Sequence, residues 1–172
     1  MKTNKPNFKK QLLLLLTFLG LTFAVNAQEI RVGAHGAFPT GDASDVSSFN
    51  AGVDASVYFF DINEQVSLGV STGYTRFFGK DETVGDIKFE YDDFAYIPIT
   101  ASARGLFGTK QNIFYTANLG YAVGLDDADG GFIYQANLGW TNSVIDVFAF
   151  YRGISDEITV NSFGAGVAFK VL

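Results

Sequence analysis

The chain has 172 residues, enough for one domain, with 48% hydrophobic and 17% charged side chains. It holds no cysteine and one histidine, which excludes a disulfide framework, a thiolate metal centre and an anchor attached through an N-terminal cysteine. Its 12 Lys and Arg face 18 Asp and Glu, a balance that argues against a nucleic-acid-binding surface.

The first element is a leader. Lys2, Lys5, Lys9 and Lys10 form a positive region, Leu12 to Val25 is a 14-residue apolar run, and Val25-Asn26-Ala27 places small residues at both recognition positions of a cleavage site. A run of 14 falls short of the ~20 residues a spanning helix needs, so cleavage is expected in place of a retained anchor. The expected division is a signal peptide over residues 1–27 and one barrel domain over residues 28–172. Four of the twelve bases leave with the leader, so the remainder carries eight bases against 18 acids, a formal charge of −10.

Eight strand-like segments follow, at roughly Glu29 to Phe38, Phe49 to Phe60, Gln65 to Phe77, Phe94 to Phe107, Asn112 to Leu125, Gly131 to Trp140, Val144 to Arg152 and Val160 to Val171. In the second, Ala51, Val53, Ala55, Val57 and Phe59 alternate with Asn50, Gly52, Asp54, Ser56 and Tyr58. In the fifth, Ile113, Tyr115, Ala117, Leu119 and Tyr121 alternate with Phe114, Thr116, Asn118, Gly120 and Ala122. A period of two marks strands with two unlike faces. The polar faces are mostly Gly, Ser, Thr, Asn and Gln, with scarcely a lysine, which suits a narrow filled interior better than a solvated exterior.

Aromatic residues gather near segment ends, among them Phe38, Phe59, Phe60, Phe77, Phe78, Phe94, Tyr96, Phe107, Tyr115, Phe132, Tyr134, Trp140 and Phe169, as two interfacial belts would require. Pro98 removes one ladder donor and is expected to bring a bulge or local irregularity. The connections alternate between wide and narrow. Thr40 to Ser48, Gly79 to Asp93, Asp126 to Gly130 and Gly153 to Thr159 are the wide ones, and Asp61 to Glu64, Gly108 to Gln111 and Thr141 to Ser143 the narrow ones. These observations predict an all-β fold, an eight-stranded antiparallel up-and-down transmembrane β-barrel preceded by a cleavable signal peptide, with both termini and the turns in the periplasm. A soluble secreted ligand-binding β-barrel is the competing architecture.

The wide loops hold 13 of the 18 acids. The second is the longest and carries Asp81, Glu82, Asp86, Phe89, Glu90, Tyr91, Asp92 and Asp93, which makes it the candidate surface-contact loop. Asp127-Ala128-Asp129-Gly130 is a weak calcium candidate, lacking the spacing and closing Glu of an EF-hand; no metal site is otherwise expected. The alternative to cation bridging is a solvated acidic surface that binds nothing specific.

Charges at inward parity are few and nearly balanced: Glu29, Asp54 and Asp146 against Arg31, Arg104 and Arg152, with Lys170 near the turn-side mouth. Together with His35 they are expected to form a structural, hydrogen-bonded ion-pair network that plugs the lumen. No catalytic motif, phosphate loop or cofactor signature accompanies them, so the chain is read as a non-enzyme without a cofactor.

The opening strand Ile30-Arg31-Val32-Gly33-Ala34, the Ala27-Gln28 junction, the segment Tyr96-Ile97-Pro98-Ile99-Thr100 and the alternating last strand carry a resemblance. Over its length after the leader, the chain resembles the small outer-membrane β-barrel family of Gram-negative bacteria, the eight-stranded outer-membrane protein A and X-like barrels of the porin family. In that family the last strand carries the assembly signal and commonly ends in Phe; here Phe163, Ala165, Val167, Phe169 and Val171 alternate, but the chain closes on Leu172. The resemblance implies a cell outer membrane protein, a monomer, with a structural or surface-interaction role. Its implied partners are outer-membrane lipid and glycolipid, the barrel-assembly machinery during insertion, and an extracellular ligand of unknown identity. A passive small-solute pore and a membrane-embedded lipid enzyme remain open as alternatives.

Overall fold

The computed structural model describes residues 29–84, 87–126, 128–155 and 159–172, with the backbone alone described at 82–84 and 87–90. The leader expected over residues 1–27 lies outside the described residues. In chain order the elements are β1 (Glu29–Thr40), α1 (Ala43–Val46), β2 (Ser47–Asn63), β3 (Val66–Gly79), β4 (Asp81–Val84), β5 (Ile87–Glu90), β6 (Phe94–Phe107), β7 (Ile113–Leu125), β8 (Gly131–Thr141), β9 (Ile145–Ser155) and β10 (Val160–Lys170).

Eight of these strands close an antiparallel barrel in the order β1-β10-β9-β8-β7-β6-β3-β2. First and last strands pair from Arg31↔Lys170 to Thr40↔Asn161, and Ile30 N–H donates to the Leu172 carbonyl at 2.8 Å. Closure leaves the barrel without an unpaired edge, so every strand has a ladder partner on both sides, as a lipid-exposed sheet must. β4 and β5 form a separate two-stranded hairpin within the second wide loop, where the sequence pattern marks only a solvated acidic link.

The start of β1, the end of β10 and the three narrow turns share one end. Two of those turns are organised by asparagine. Asn63 Oδ1 accepts from the Gln65 and Val66 N–H groups at 2.9 and 3.0 Å, and Asn142 Oδ1 from Val144 and Ile145 at 2.7 and 2.8 Å.

The outer face is apolar. Val53, Val70, Ile99 and Leu119 are 55%, 43%, 61% and 55% exposed at the middle of their strands. Phe38, Phe78, Tyr121, Phe132 and Phe163 are exposed toward the loop end, and Phe60, Phe107, Tyr115, Trp140 and Phe169 toward the turn end.

Three aromatic residues expected in those belts lie elsewhere. Phe77 and Tyr96 are buried inward, and Phe94 packs on them: Phe77 stacks on Phe94 with centroids 4.8 Å apart and meets Tyr96 edge-on at 5.9 Å. Phe77 shares parity with Ser67, Ser71 and Thr75, so the alternation that places those side chains inside places Phe77 there as well.

The lumen is also less uniformly small and polar than the pattern implied, because Phe114, Phe148 and Phe150 point inward and pack with Ala37. Gly166 makes room for them: a Cβ there would stand 2.6 Å from Phe148 Cζ.

The β2–β3 ladder contains three register shifts, at Ser47/Phe49, Tyr58/Phe60 and Asp61/Asn63. An inserted residue reverses side-chain parity. Tyr58 is therefore buried while Phe60 and Ile62, at the same parity, are exposed. At Pro98 no residue is inserted. The β3–β6 ladder lapses between Thr72↔Ile99 and Thr75↔Tyr96 with its register kept, and Thr72 Oγ1 donates to the Pro98 carbonyl at 2.8 Å.

Candidate functional site

Strand registry sets two polar layers across the lumen. In the turn-side layer Asp146 on β9 receives charge from β1 and β6: Arg31 Nη1 lies 2.6 Å from its Oδ1, while Arg104 donates through Nη1 at 2.9 Å and Nη2 at 3.2 Å. Small residues allow this reach, since Asp146 and Gly33 both sit opposite Ala168 on the intervening β10. Glu29 completes the layer, contacting Arg31, lying 3.6 Å from Arg104 and pairing with Lys170 at 3.4 Å. The Arg104 guanidinium stands 4.1 Å over the Phe114 ring, which supplies a π-face to the buried cation.

The loop-side layer joins His35, Asp54, Thr75, Gln135 and Arg152. His35 Nδ1 meets Asp54 Oδ2 at 2.5 Å, and its Nε2 faces Thr75 Oγ1 and Arg152 Nη1, each at 3.2 Å. Arginine can only donate, so Nε2 is the acceptor and Nδ1 carries the hydrogen given to Asp54. Arg152 also donates to Thr75 at 2.7 Å and to Gln135 at 2.6 Å, and its Nη2 lies 3.6 Å from Asp54. Gly52 gives the ring its place, because a Cβ there would come within 2.7 Å of His35 Cε1.

Of the seven inward residues singled out from sequence, Glu29, Arg31, Arg104 and Asp146 meet in one layer and His35, Asp54 and Arg152 in the other. Thr75 and Gln135 were missed: parity marks them as inward, but nothing in a single strand says which side chains they meet across the barrel.

The order threonine, histidine, aspartate is also that of a hydrolase relay. Here Arg152 occupies the nucleophile's side of the imidazole, and Thr75 is 1% exposed. Ser56 and Ser67 donate instead to Ser71 and Asp61. His35 and the lumen serines therefore do not converge in an open pocket.

Between the layers lies a cavity of about 50 Å³, lined by Arg31, Asp54, Tyr58, Arg104 and Thr116 among others, large enough for a few waters. Thr116 Oγ1 is buried beside it without a protein partner. Thr116→Val removes an unsatisfied hydroxyl while keeping shape, so stability measured by urea unfolding should stay level or rise by up to ~1 kcal/mol. A comparable loss would mean that the hydroxyl holds an ordered water.

At the loop end, α1 packs against β1, β2 and β10, with Ala43 buried. The second loop is tied down at its base. Asp93 Oδ1 accepts from the Gly79 N–H at 2.9 Å, and its Oδ2 from Arg76 Nε and Nη2 at 3.1 and 3.0 Å. Tyr91 is exposed beside it. Glu82, Phe89 and Glu90 belong to the hairpin strands, and Asp86 lies outside the described residues. Of the calcium candidate, Asp129 is exposed and Asp127 lies outside the described residues; among the described residues no three His, Asp or Glu side chains converge on a metal site.

The Gly79 amide, followed by the Arg76 guanidinium, holds the Asp93 carboxyl below the ordinary aspartate value of 3.8. A carboxyl depressed on folding contributes its stabilisation above the unfolded value and loses it as pH falls through the folded one. Hydrogen exchange of the Gly79 amide should accordingly be flat from neutral pH down to about 4, after allowance for the intrinsic rate, and lose protection below that. Asp93→Asn should abolish the step, and a step that survives would place the titration elsewhere.

No protein-family model and no curated protein matches this chain. Among solved structures it is similar to Ail, the attachment invasion locus protein of Yersinia pestis, crystallised with the heparin analogue sucrose octasulfate, at 15% identity and a TM-score of 0.56 over 83% of this chain and 96% of that one. It is similar to a de novo designed transmembrane β-barrel at 10% identity and a TM-score of 0.54, covering 84% and 97% of the two chains. Neisserial surface protein A aligns at 18% identity and a TM-score of 0.51, covering 82% and 95%. At these identities the likeness establishes the fold, a closed eight-stranded antiparallel up-and-down barrel of the outer-membrane type.

Proposed function

We propose that this chain is an outer-membrane β-barrel of a Gram-negative cell envelope, exported by cleavage after Ala27, with its turns in the periplasm and its acidic loops outside. Its role is structural or surface-interacting, and not enzymatic. One observation carries the reading: mid-strand aliphatics point out while arginines and carboxylates point in. Ile99 and Leu119 are 61% and 55% exposed, whereas Arg104 and Asp146 are 5% and 2% exposed. In water the first pair would leave an apolar girdle unsolvated, and in lipid it needs no partner.

Fractionation tests this. The mature chain should start at Gln28, sediment with outer membranes and show heat-modifiable migration after detergent extraction. Recovery in the aqueous fraction without amphiphile would return it to the soluble-barrel class.

The two polar layers serve as the structural plug, and the 50 Å³ cavity between them is small for a solute path. Planar bilayers should show no steady conductance. The last strand, with Phe169 and Val171 exposed outward, is the segment offered to the assembly machinery.

The second loop, from Asp81 to Asp93, is the contact candidate. Ail was crystallised with a sulfated, polyanionic sugar. The loops here concentrate 13 acids and would repel such a ligand, so a neutral or cationic partner fits them better. Deleting the β4–β5 hairpin should spare insertion and abolish surface binding.

A further inference from the structure

At the turn end of the barrel the mouth of the lumen gathers basic side chains. There the lumen opens into a vestibule of about 520 Å³ bordered by the turns that follow β6 and β8, and Arg31, Arg104, Lys110 and Lys170 all line it. These are four of the eight bases that follow the leader, gathered at one end of a chain whose formal charge over that stretch is −10. Among the described residues two carboxylates answer them. Glu29 lines the vestibule, and Asp146 lies behind Arg31 and Arg104 at its floor.

Lys110 is exposed on its turn and makes no ion pair among the described residues. Arg31 Nη1 is buried 2.6 Å from Asp146 without an aligned hydrogen bond, and its charge faces the vestibule floor. Neutral donors complete the wall, including the side chains of Gln111, Asn112 and Ser143.

We propose that this vestibule is a binding site for a compact multi-oxygen anion of the phosphate class. Two surplus positive charges, one of them on the exposed Lys110, and a wall of neutral polar side chains match a group with several acceptor oxygens. Trp140, the chain's one tryptophan, is 45% exposed at the rim and also lines the vestibule, so the site lies at the height of a bilayer interface. The anion is therefore either a soluble phosphate-bearing molecule or the headgroup of a neighbouring lipid. Binding stands independently of the membrane reading, and only the lipid source rests on it.

Trp140 reports on the site directly. Inorganic phosphate titrated into the purified protein in neutral detergent micelles should change its fluorescence saturably. Lys110→Gln, on an exposed turn, should weaken binding about threefold, and Lys110→Gln with Lys170→Gln about tenfold, the scale of partly solvated charge contacts. Lys80→Gln, at the far end, should change nothing. Phosphatidylglycerol added to the phosphate-free micelles that shifts the phosphate midpoint assigns the site to a headgroup, and an unchanged midpoint assigns it to a soluble anion. No saturable response, or one of equal midpoint in the double variant, overturns the proposal.

Discussion

Asp146→Ala should cost the folded barrel about 3–5 kcal/mol, the scale of removing one partner from a buried ion pair. Asp146 is 2% exposed and carries the contacts of both Arg31 and Arg104, so its loss leaves two guanidiniums in the lumen with Glu29 as their remaining carboxylate. Arg31 and Arg104 are 6% and 5% exposed at the floor of the vestibule, and Arg104 is pressed against Phe114, so neither charge is fully hydrated. The urea midpoint in detergent or bilayer, and the temperature at which the heat-modifiable band is lost, should both fall. Arg104→Met combined with Asp146→Leu should recover part of the loss, because removing a whole pair avoids the stranded charge that makes the single variant costly. A cost for Asp146→Ala below ~1 kcal/mol would mean that water enters the layer and the pairs behave as surface pairs do.

The same layer illustrates what a strand pattern reveals and what it withholds. Period two is a property of each strand by itself, so Arg104 and Asp146 could be assigned to the inside from their own neighbours. Which cation meets which anion depends on the register between strands, set by closure of β1 on β10 and by the stagger it imposes. Thr75 and Gln135 were illegible as members of the His35 site for that reason.

The aromatic misassignments have a different origin. Phe77 and Tyr96 stand near strand ends, where an interfacial belt and a lumen cap ask for the same residue types, and only their parity with Thr75 and Thr100 separates the two. Phe60 does stand in the belt, but against its own parity, because the bulge after Tyr58 reverses the faces and nothing in Tyr58-Phe59-Phe60 announces an inserted residue. The β4–β5 hairpin was hidden by its acids, which read as a solvated link although the backbone of a loop can pair with itself whatever its side chains favour.

Leu119→Arg separates a barrel in lipid from a barrel in water. Leu119 is the central residue of β7, points outward and is 55% exposed. If hydrocarbon surrounds it, an arginine there must thin the bilayer or bring water with it, and the inserted barrel should lose about 2–4 kcal/mol, the range for a base at the midplane of a transmembrane barrel. If water surrounds it, the same substitution adds a solvated charge to an exposed position and should stay within about 0.5 kcal/mol of the parent. Depth gives the internal control. Tyr115 lies four residues nearer the turns on the same face, so Tyr115→Arg should cost about 0–1 kcal/mol for its charge, apart from any packing lost with the ring. Unfolding in bilayers rather than micelles is the appropriate measurement, because only a bilayer has a midplane. A cost that rises from Tyr115 to Leu119 is the signature of a membrane. Two small and equal costs would show that the apolar girdle faces something other than acyl chains.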